Sequence, residues 1–265
     1  MYPVAVLHIP HSSSTIPPEI RRRFLIKDAL IHRELLRLTD WYVDELFALP
    51  PSLALSFRFP ISRLVVDPER FVEDNQEVMA SRGMGVIYTQ TSDGQILRAT
   101  PSDEEKNALI KQYYNPHHAS ISKAVSSVLE QCGSCLIIDC HSFPSRPLPI
   151  DLDQYPQRPH ICIGTDSFHT PDWLYELAKD LFSRRNLSVE KNRPYSGTFV
   201  PGEFFHQNSS VCSIMIEVNR RLYFNEASGE KLATFSETAE LIQAALERMI
   251  DEFRLRLGSG SALVL

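Results

Sequence analysis

The chain has 265 residues, 43% of them hydrophobic and 23% charged, and a formal net charge of −6. That length and balance suit a soluble globular protein able to bury a full core, and one large domain over residues 1–257 with a flexible tail over 258–265 is the simplest organisation. A pI near 5.9 argues against a nucleic-acid or anionic-membrane binder, which would carry a basic face or stripe, so an anionic ligand has to be held by local arginines.

No apolar run reaches the roughly 18 residues that a membrane span requires. The start, Met1-Tyr2-Pro3, lacks a basic segment followed by an apolar one, which makes the cytoplasm the expected compartment. The five cysteines are an odd number, and Cys135, Cys140, Cys162 and Cys212 lie in or beside apolar runs where a free thiol packs as a small hydrophobe. Cys132 and Cys135 form a Cys-x-x-Cys, but no second pair follows to give a zinc-ribbon spacing.

In chain order, Val4-Ala5-Val6-Leu7-His8 reads as a strand, and Pro17-Pro18-Glu19 opens a helical stretch, proline being tolerated in a helix's first turn. Asp40 fits a helix N-cap before Trp41, Leu46 and Phe47, with Pro50-Pro51 ending that run. Residues 53–57 and 64–67 are short strand candidates. Pro101-Ser102-Asp103-Glu104-Glu105 starts a long helix to about Gln131, with Ser102 or Asp103 as its cap.

Leu136-Ile137-Ile138-Asp139 reads as a central strand, and residues 143–159, with five prolines, as a long loop over the strand ends. Residues 160–163 form a further strand and 171–185 a helix. Residues 195–210 are loop-like, a strand ends at Glu217, and 228–257 form a long amphipathic helix. Alternating apolar and amphipathic runs predict an α/β fold: a three-layer mixed sheet with helices on both faces.

Three strand ends carry the candidate chemistry. His8 and His11 follow the first strand, Asp139 and His141 close the central one, and Glu217 ends another. Carboxyl ends of strands are where ligands bind in such sheets, so these groups can converge on one metal-assisted site. Alternation sends Asp139 and His141 to one side of the chain. There a carboxylate can orient a metal-bound imidazole or be a ligand itself; otherwise Asp139 caps the next loop.

Glu217, after mainly apolar residues, can act as a general base at the rim of a water-poor cleft, or pair with Arg220 or Arg221. Arg63 and Arg70 offer forked donors that match a carboxylate, unless Asp67 or Glu69 neutralises them. The chain has no Gly-x-Ser-x-Gly, no phosphate-binding glycine loop and no His-Glu-x-x-His. His117 and His118 face different directions on a helix, which argues against joint ligation.

Taken together, His11-Ser12-Ser13, Thr39-Asp40-Trp41-Tyr42-Val43-Asp44-Glu45-Leu46, Ser62-Arg63 to Arg70, Asp139-Cys140-His141-Ser142, Tyr195-Ser196-Gly197 and Ile216-Glu217-Val218-Asn219-Arg220-Arg221-Leu222-Tyr223 resemble the N-formylglutamate amidohydrolase family over nearly the whole chain. That family resembles the zinc carboxypeptidases and aspartoacylases, which implies a zinc-exopeptidase, phosphorylase/hydrolase-like fold. It also implies one Zn²⁺ held by His11, an acidic residue and His141, with Glu217 as general base. No acid follows His11 at the short spacing of the wider relatives, and Glu19 is too far along, so Asp40 is the expected acidic ligand and Asp44 the next choice.

The resemblance further implies that Arg63 or Arg70 grips a substrate carboxylate or oxyanion, with Ser12, Ser142, Asn219 and Arg220 completing the substrate site. The implied reaction is cleavage of the amide of a small N-acylated acidic amino acid such as N-formylglutamate, a step of histidine catabolism, by a monomer or small homo-oligomer without nucleic-acid or membrane partners. The alternatives are a zinc carboxypeptidase, a peptidoglycan amidase, or a binding protein that keeps the fold without catalysis. His11-Ser12-Ser13 stands where the family often has His-Ser-Gly or His-Ala-Gly, and Tyr195-Ser196-Gly197 where a paired glycine is common. Those loops shape the pocket, and a shared fold does not fix the acyl group.

Overall fold

A computed structural model describes residues 2–258. The strands β1 (Ala5–Ile9), β2 (Ala54–Arg58), β3 (Cys135–Phe143), β4 (Ile161–Gly164), β5 (Val189–Lys191) and β6 (Val211–Asn219) form one sheet in the order β2-β1-β3-β6-β4-β5. Neighbours run parallel except at the β4–β6 pair, which is antiparallel, so the sheet is mixed. The helices are α1 (Pro18–Arg21), α2 (Asp28–Leu38), α3 (Val43–Leu46), α4 (Asp103–Leu109), α5 (Asn115–Cys132), α6 (Asp172–Ser183) and α7 (Phe235–Gly258).

Both central strands, β3 and β6, are buried along their whole length, which is why they read as near-continuous apolar runs. Strand alternation still divides their side chains between two layers. Leu136, Ile138, Cys140, Ile214 and Ile216 face α3, α6 and α7, where Leu46, Leu174, Ile242 and Leu246 meet them. Val6, Ile137 and Val211 face α5 through Ile121, Val125 and Val128. Helices therefore cover both faces, as the sequence predicts.

The α5 side is also the polar side. Asp139, His141 and Glu217 follow Ile137 and Val211 at odd positions along β3 and β6, and His8 follows Val6 on β1. Register then sets these groups side by side, pairing His8 with Asp139 and His141 with Glu217.

Ser102 caps α4 in a full capping box with Glu105, as its sequence predicts. The long helix continues through a π-turn at Ile110–Tyr114 into α5, which carries Pro116 in its first turn. Among the described residues no helix is long and apolar enough to cross a membrane.

Three local expectations are corrected. Residues 64–67 are not a strand: the Leu64 N–H donates to Ser62 Oγ and the Val65 N–H to the Ser62 carbonyl, forming a turn. Leu64, Val65 and Val66 are buried in a second core with Phe59, Ile61 and Tyr88, so their hydrophobicity serves a buried loop.

Asp40 does not cap α3. That helix is preceded by Tyr42 in the left-handed region, at φ 61°, with no side-chain cap, and Asp40 is used elsewhere. The C-terminal helix starts at Phe235 rather than near Ser228, because Asn225 accepts from the N–H groups of Ala227 and Ser228 and closes a turn there. Gly258 ends α7; the rest of the tail expected to be mobile lies outside the described residues.

Candidate active site

The carboxyl ends of β1, β3 and β6 open into a cavity of about 620 Å³. His11, Asp40, Arg63, Arg70, Asp139, His141, Ser142, Glu217 and Arg220 all line it, as does Glu69. The sequence-predicted ends of three strands thus meet in one place.

His11 leaves β1 through Pro10, and its Nε2 lies 2.8 Å from Asp67 Oδ1. Its Nδ1 is buried and has no hydrogen-bond partner; Asp40 Oδ2 is 3.8 Å away. His141 presents Nδ1 to the same Asp40 oxygen at 3.2 Å, and its Nε2 lies 3.1 Å from both Asp139 Oδ1 and Glu69 Oε1. Asp40 is fixed by the Ser142 N–H at 3.3 Å on Oδ2 and by Arg220 Nη2 at 3.0 Å on Oδ1.

Burial disfavours charge on His11, and nearby Arg63 adds to this, so its pKa is lowered and the ring is held neutral, the form that ligates metals. Burial alone would raise Asp40, but the hydrogen bond to His141 and the charges of His11, His141 and Arg220 hold its carboxyl down at about 2. Asp67, desolvated yet beside Arg63 and His11, stays well below the usual carboxylate range.

His11, Glu69 and His141 can present ligand atoms within 4.8 Å of one another, and His8, Glu69 and Asp139 form a second such group. Glu69 is the acid that the sequence reading passes over as a neutraliser of arginines. It sits in Asp67-Pro68-Glu69-Arg70, where the chain turns inside the second core, and a pair of acids around a proline between buried segments is the signal that points to it. Asp44 is not at the site; its Oδ2 lies 3.4 Å from Arg58 on the outer side.

Glu217 is 6% exposed, and its Oε2 is buried without a hydrogen-bond partner. Burial lifts its pKa to about 8, the charge of His141 working against this and those of Asp40 and Glu69 with it. The ion pair considered for it is taken up elsewhere: Arg220 binds Asp40, the Ser142 carbonyl and the Arg37 carbonyl, while Arg221 Nη2 donates to the Arg158 carbonyl. Arg220 is thus a strut under Asp40 and Ser142.

The two arginines of the 63–70 segment differ in their freedom. Arg63 spends Nε and Nη2 on Asp67 Oδ2 at 3.1 and 2.8 Å, and Nε also reaches the Tyr88 hydroxyl at 2.9 Å. Arg70 stands 3.6 Å from Asp67 and 3.9 Å from Glu77, and its Nε has no hydrogen-bond partner. Ser12 accepts from Arg58 Nε at 2.7 Å, and Asn219 donates to the Pro159 carbonyl at 2.8 Å; neither lines the cavity. Tyr195 does line it, its hydroxyl 3.3 Å from Arg158.

Residues 4–224 match the family described as N-formylglutamate amidohydrolase. The N-formylglutamate deformylase of Pseudomonas putida is 26% identical over 146 residues, which is 53% of this chain and 52% of that protein. The match therefore spans about half the length of that curated relative.

Among solved structures, the N-formylglutamate amidohydrolase of Ralstonia eutropha superposes with a TM-score of 0.83 at 19% identity, over 95% of this chain and 94% of that one. A gene product of Agrobacterium tumefaciens gives a TM-score of 0.66 at 17% identity, over 95% and 92%. At these identities the structural likeness concerns the fold.

Proposed function

Because the chain belongs to the N-formylglutamate amidohydrolase family, we propose that it is a metal-dependent hydrolase of the amide C–N bond in N-acylated amino acids that carry a free carboxylate, N-formylglutamate among them. The observation that carries this reading is three buried atoms without hydrogen-bond partners in one cavity, His11 Nδ1, Arg70 Nε and Glu217 Oε2. A buried polar atom without a partner costs free energy, so it is retained where a ligand completes it.

The donor set fits a divalent cation. His11 Nδ1, His141 Nδ1 and Asp40 Oδ2 would hold it, because His11 Nε2 is already bonded to Asp67 and His141 Nε2 to Asp139 and Glu69. Imidazoles backed by carboxylates in this way are fixed in orientation and made better donors. Two histidines and one carboxylate are a usual set for catalytic zinc. When bound, the cation supplies Lewis acidity toward the scissile carbonyl and makes water a stronger acid.

The chain's own groups supply the rest. Glu217 takes the proton of the attacking water as its oxygen bonds to the carbonyl carbon, then returns it to the nitrogen as the C–N bond breaks. A carboxylic acid and an amine leave; a formyl substrate gives formate. Arg70 holds the substrate carboxylate with the fork that Arg63 has spent on Asp67. Arg220, Ser142 and Asp67 keep Asp40 and His11 in place.

The test is direct. Zinc-reconstituted protein incubated with N-formylglutamate is expected to release formate and glutamate in equal amounts, and a chelator is expected to stop the release. Full activity in metal-free protein defeats the reading.

A further inference from the structure

His8 is the strand-end histidine that the cavity does not use. It has no exposed surface and lies behind the cavity wall, as does His117 on α5, which is 7% exposed. Burying two imidazoles side by side costs free energy unless their ring nitrogens are satisfied, so their partners are informative.

Those partners form a chain. His117 Nε2 lies 3.1 Å from His8 Nε2, His8 Nδ1 lies 2.9 Å from Asp139 Oδ1, and that oxygen is 3.1 Å from His141 Nε2. Strand register sets His8 beside Asp139, and the Phe199 ring lies against His8 with the centroids 3.9 Å apart. The Phe199 N–H donates to Asp139 Oδ2 at 3.0 Å, so both oxygens of this carboxylate are held. His118, the next residue on α5, points elsewhere, its Nε2 2.7 Å from the Pro68 carbonyl.

The protons along the chain have one order. A carboxylate oxygen only accepts, so His8 Nδ1 donates to Asp139. A neutral imidazole has one proton, which leaves a lone pair on His8 Nε2 for His117 Nε2–H to fill. Burial, and then the neighbouring His8, His118 and His11, push the His117 pKa down to about 2, so that ring is neutral and has one proton to give.

That order matters at the far end. With the His8 proton locked on Nδ1, Asp139 is fixed and accepts in turn from His141 Nε2–H, and His141 presents Nδ1 on the Asp40 side. Without a donor at His117, His8 is free to carry its proton on Nε2, and two lone pairs then face each other at Asp139. Glu69 Oε1 competes for the His141 proton from 3.1 Å, so a loosened Asp139 lets the ring turn toward Glu69.

We propose that His117 and His8 are positioning residues: His117 sets the tautomer of His8, His8 orients Asp139, and Asp139 aims His141 Nδ1 at the metal position. The metal rests on the hydrolase reading; the chain rests on its hydrogen bonds. It also assigns the second possible metal group, because the bond between His8 Nδ1 and Asp139 Oδ1 spends two of the atoms that His8, Glu69 and Asp139 would offer a cation.

The experiment measures zinc affinity by indicator competition and locates ring protons by long-range proton–nitrogen NMR, on the full chain labelled with nitrogen-15 histidine. In the wild type His8 is expected to carry its proton on Nδ1 and His117 on Nε2. His117→Leu, which cannot donate, is expected to weaken zinc binding about tenfold and to shift the His8 and His141 nitrogens, whereas His117→Gln, whose amide N–H replaces Nε2–H, is expected to stay within about twofold of wild type. If the leucine variant does not fold, His117→Asn, polar but too short to reach His8, takes its place. A proton on His8 Nε2 in the wild type, wild-type zinc affinity in the folded non-donating variant, or equal losses in that variant and His117→Gln overturns the proposal.

Failure of the hydrolase reading is distinguishable. If the wild type binds no zinc, that reading falls and the metal-free spectra decide the chain. His141 nitrogens that move when the donor at position 117 is lost, and not in His117→Gln, uphold it; unmoved nitrogens overturn it.

Discussion

His11 and Asp67 are joined by one 2.8 Å hydrogen bond between Nε2 and Oδ1, and that bond decides which nitrogen of the histidine faces the cavity. Asp67 is itself held by Arg63 and the Tyr88 hydroxyl, and it has no exposed surface. A carboxylate so placed is rigid and ionised. The ring it orients therefore presents Nδ1, buried and unpartnered, toward Asp40.

Replacing Asp67 with asparagine is expected to weaken zinc binding about 10- to 100-fold, the usual cost of losing a carboxylate behind a metal-binding histidine. It also leaves Arg63 without its counter-charge, and breaking a buried pair from one side costs about 3–5 kcal/mol. Competition titration with a zinc indicator and chemical denaturation measure the two effects separately. Unchanged zinc affinity in a folded variant counts against Nδ1 as the ligand atom.

One zinc per chain is expected on metal analysis of protein purified without chelator, and a His11→Ala, His141→Ala double variant is expected to lose it. The acidic ligand is then decided by comparing Asp40→Asn with Glu69→Gln. Asp40 Oδ2 faces the Nδ1 atoms of both histidines, at 3.8 Å from His11 and 3.2 Å from His141, whereas Glu69 meets His141 on the Nε2 side. The Asp40 variant should lose far more affinity; the reverse order transfers the role to Glu69.

Much of this arrangement is legible in the sequence for a simple reason. A histidine or carboxylate directly after four or five apolar residues marks a strand end, and alternation along β3 already places Asp139 and His141 on one side. Parallel pairing then brings those ends together, and the mixed sheet with helices on both faces follows from the alternation of runs. What periodicity does not carry is the second core around Val65 and Tyr88, whose residues are apolar without being strand or helix. Glu69 and the tether of Asp67 to His11 both depend on that core's loop, and so does the contrast between a spent Arg63 and a freer Arg70. Asp40 looks like a helix cap because the side chains that cap helices are also those that bind imidazoles inside a site, and only its contact with His141 tells the two apart.

Arg70→Lys is expected to lower kcat/KM for substrates with a free carboxylate by about tenfold or more, chiefly through KM, because lysine keeps the charge but not the fork. Carboxamide analogues of the same substrates should be slow with the wild type and little changed by the variant. Arg63→Lys is expected to act differently, reducing stability through Asp67 before it alters substrate preference. Thermal unfolding beside steady-state kinetics distinguishes the two. Equal rates for carboxylate and carboxamide substrates remove the arginine from the substrate site.

Glu217→Gln tests the base in two independent ways. With zinc bound, the amide cannot accept a proton, so turnover is expected to fall by roughly a hundredfold or more while metal content is kept. In metal-free protein the same change should alter stability in a pH-dependent way. Burial raises the carboxyl from its ordinary 4.5 to about 8, so between those values the folded state binds a proton that the unfolded chain has released. Its contribution is present below 4.5 and is lost as pH rises through 8, at about 1.4 kcal/mol per pH unit in that window. The variant carries no such group and should gain on the wild type by several kcal/mol as pH rises toward 8. Asp40, lowered from 3.8 to about 2, titrates outside this window and loses its contribution only in acid. A bound divalent cation stabilises the ionised carboxylate, so the acid limb of kcat/KM in the zinc enzyme is expected below 8. Parallel stability curves for metal-free wild type and variant from pH 4.5 to 8 contradict a raised carboxyl, and near-normal turnover in the zinc-loaded variant removes Glu217 from proton transfer.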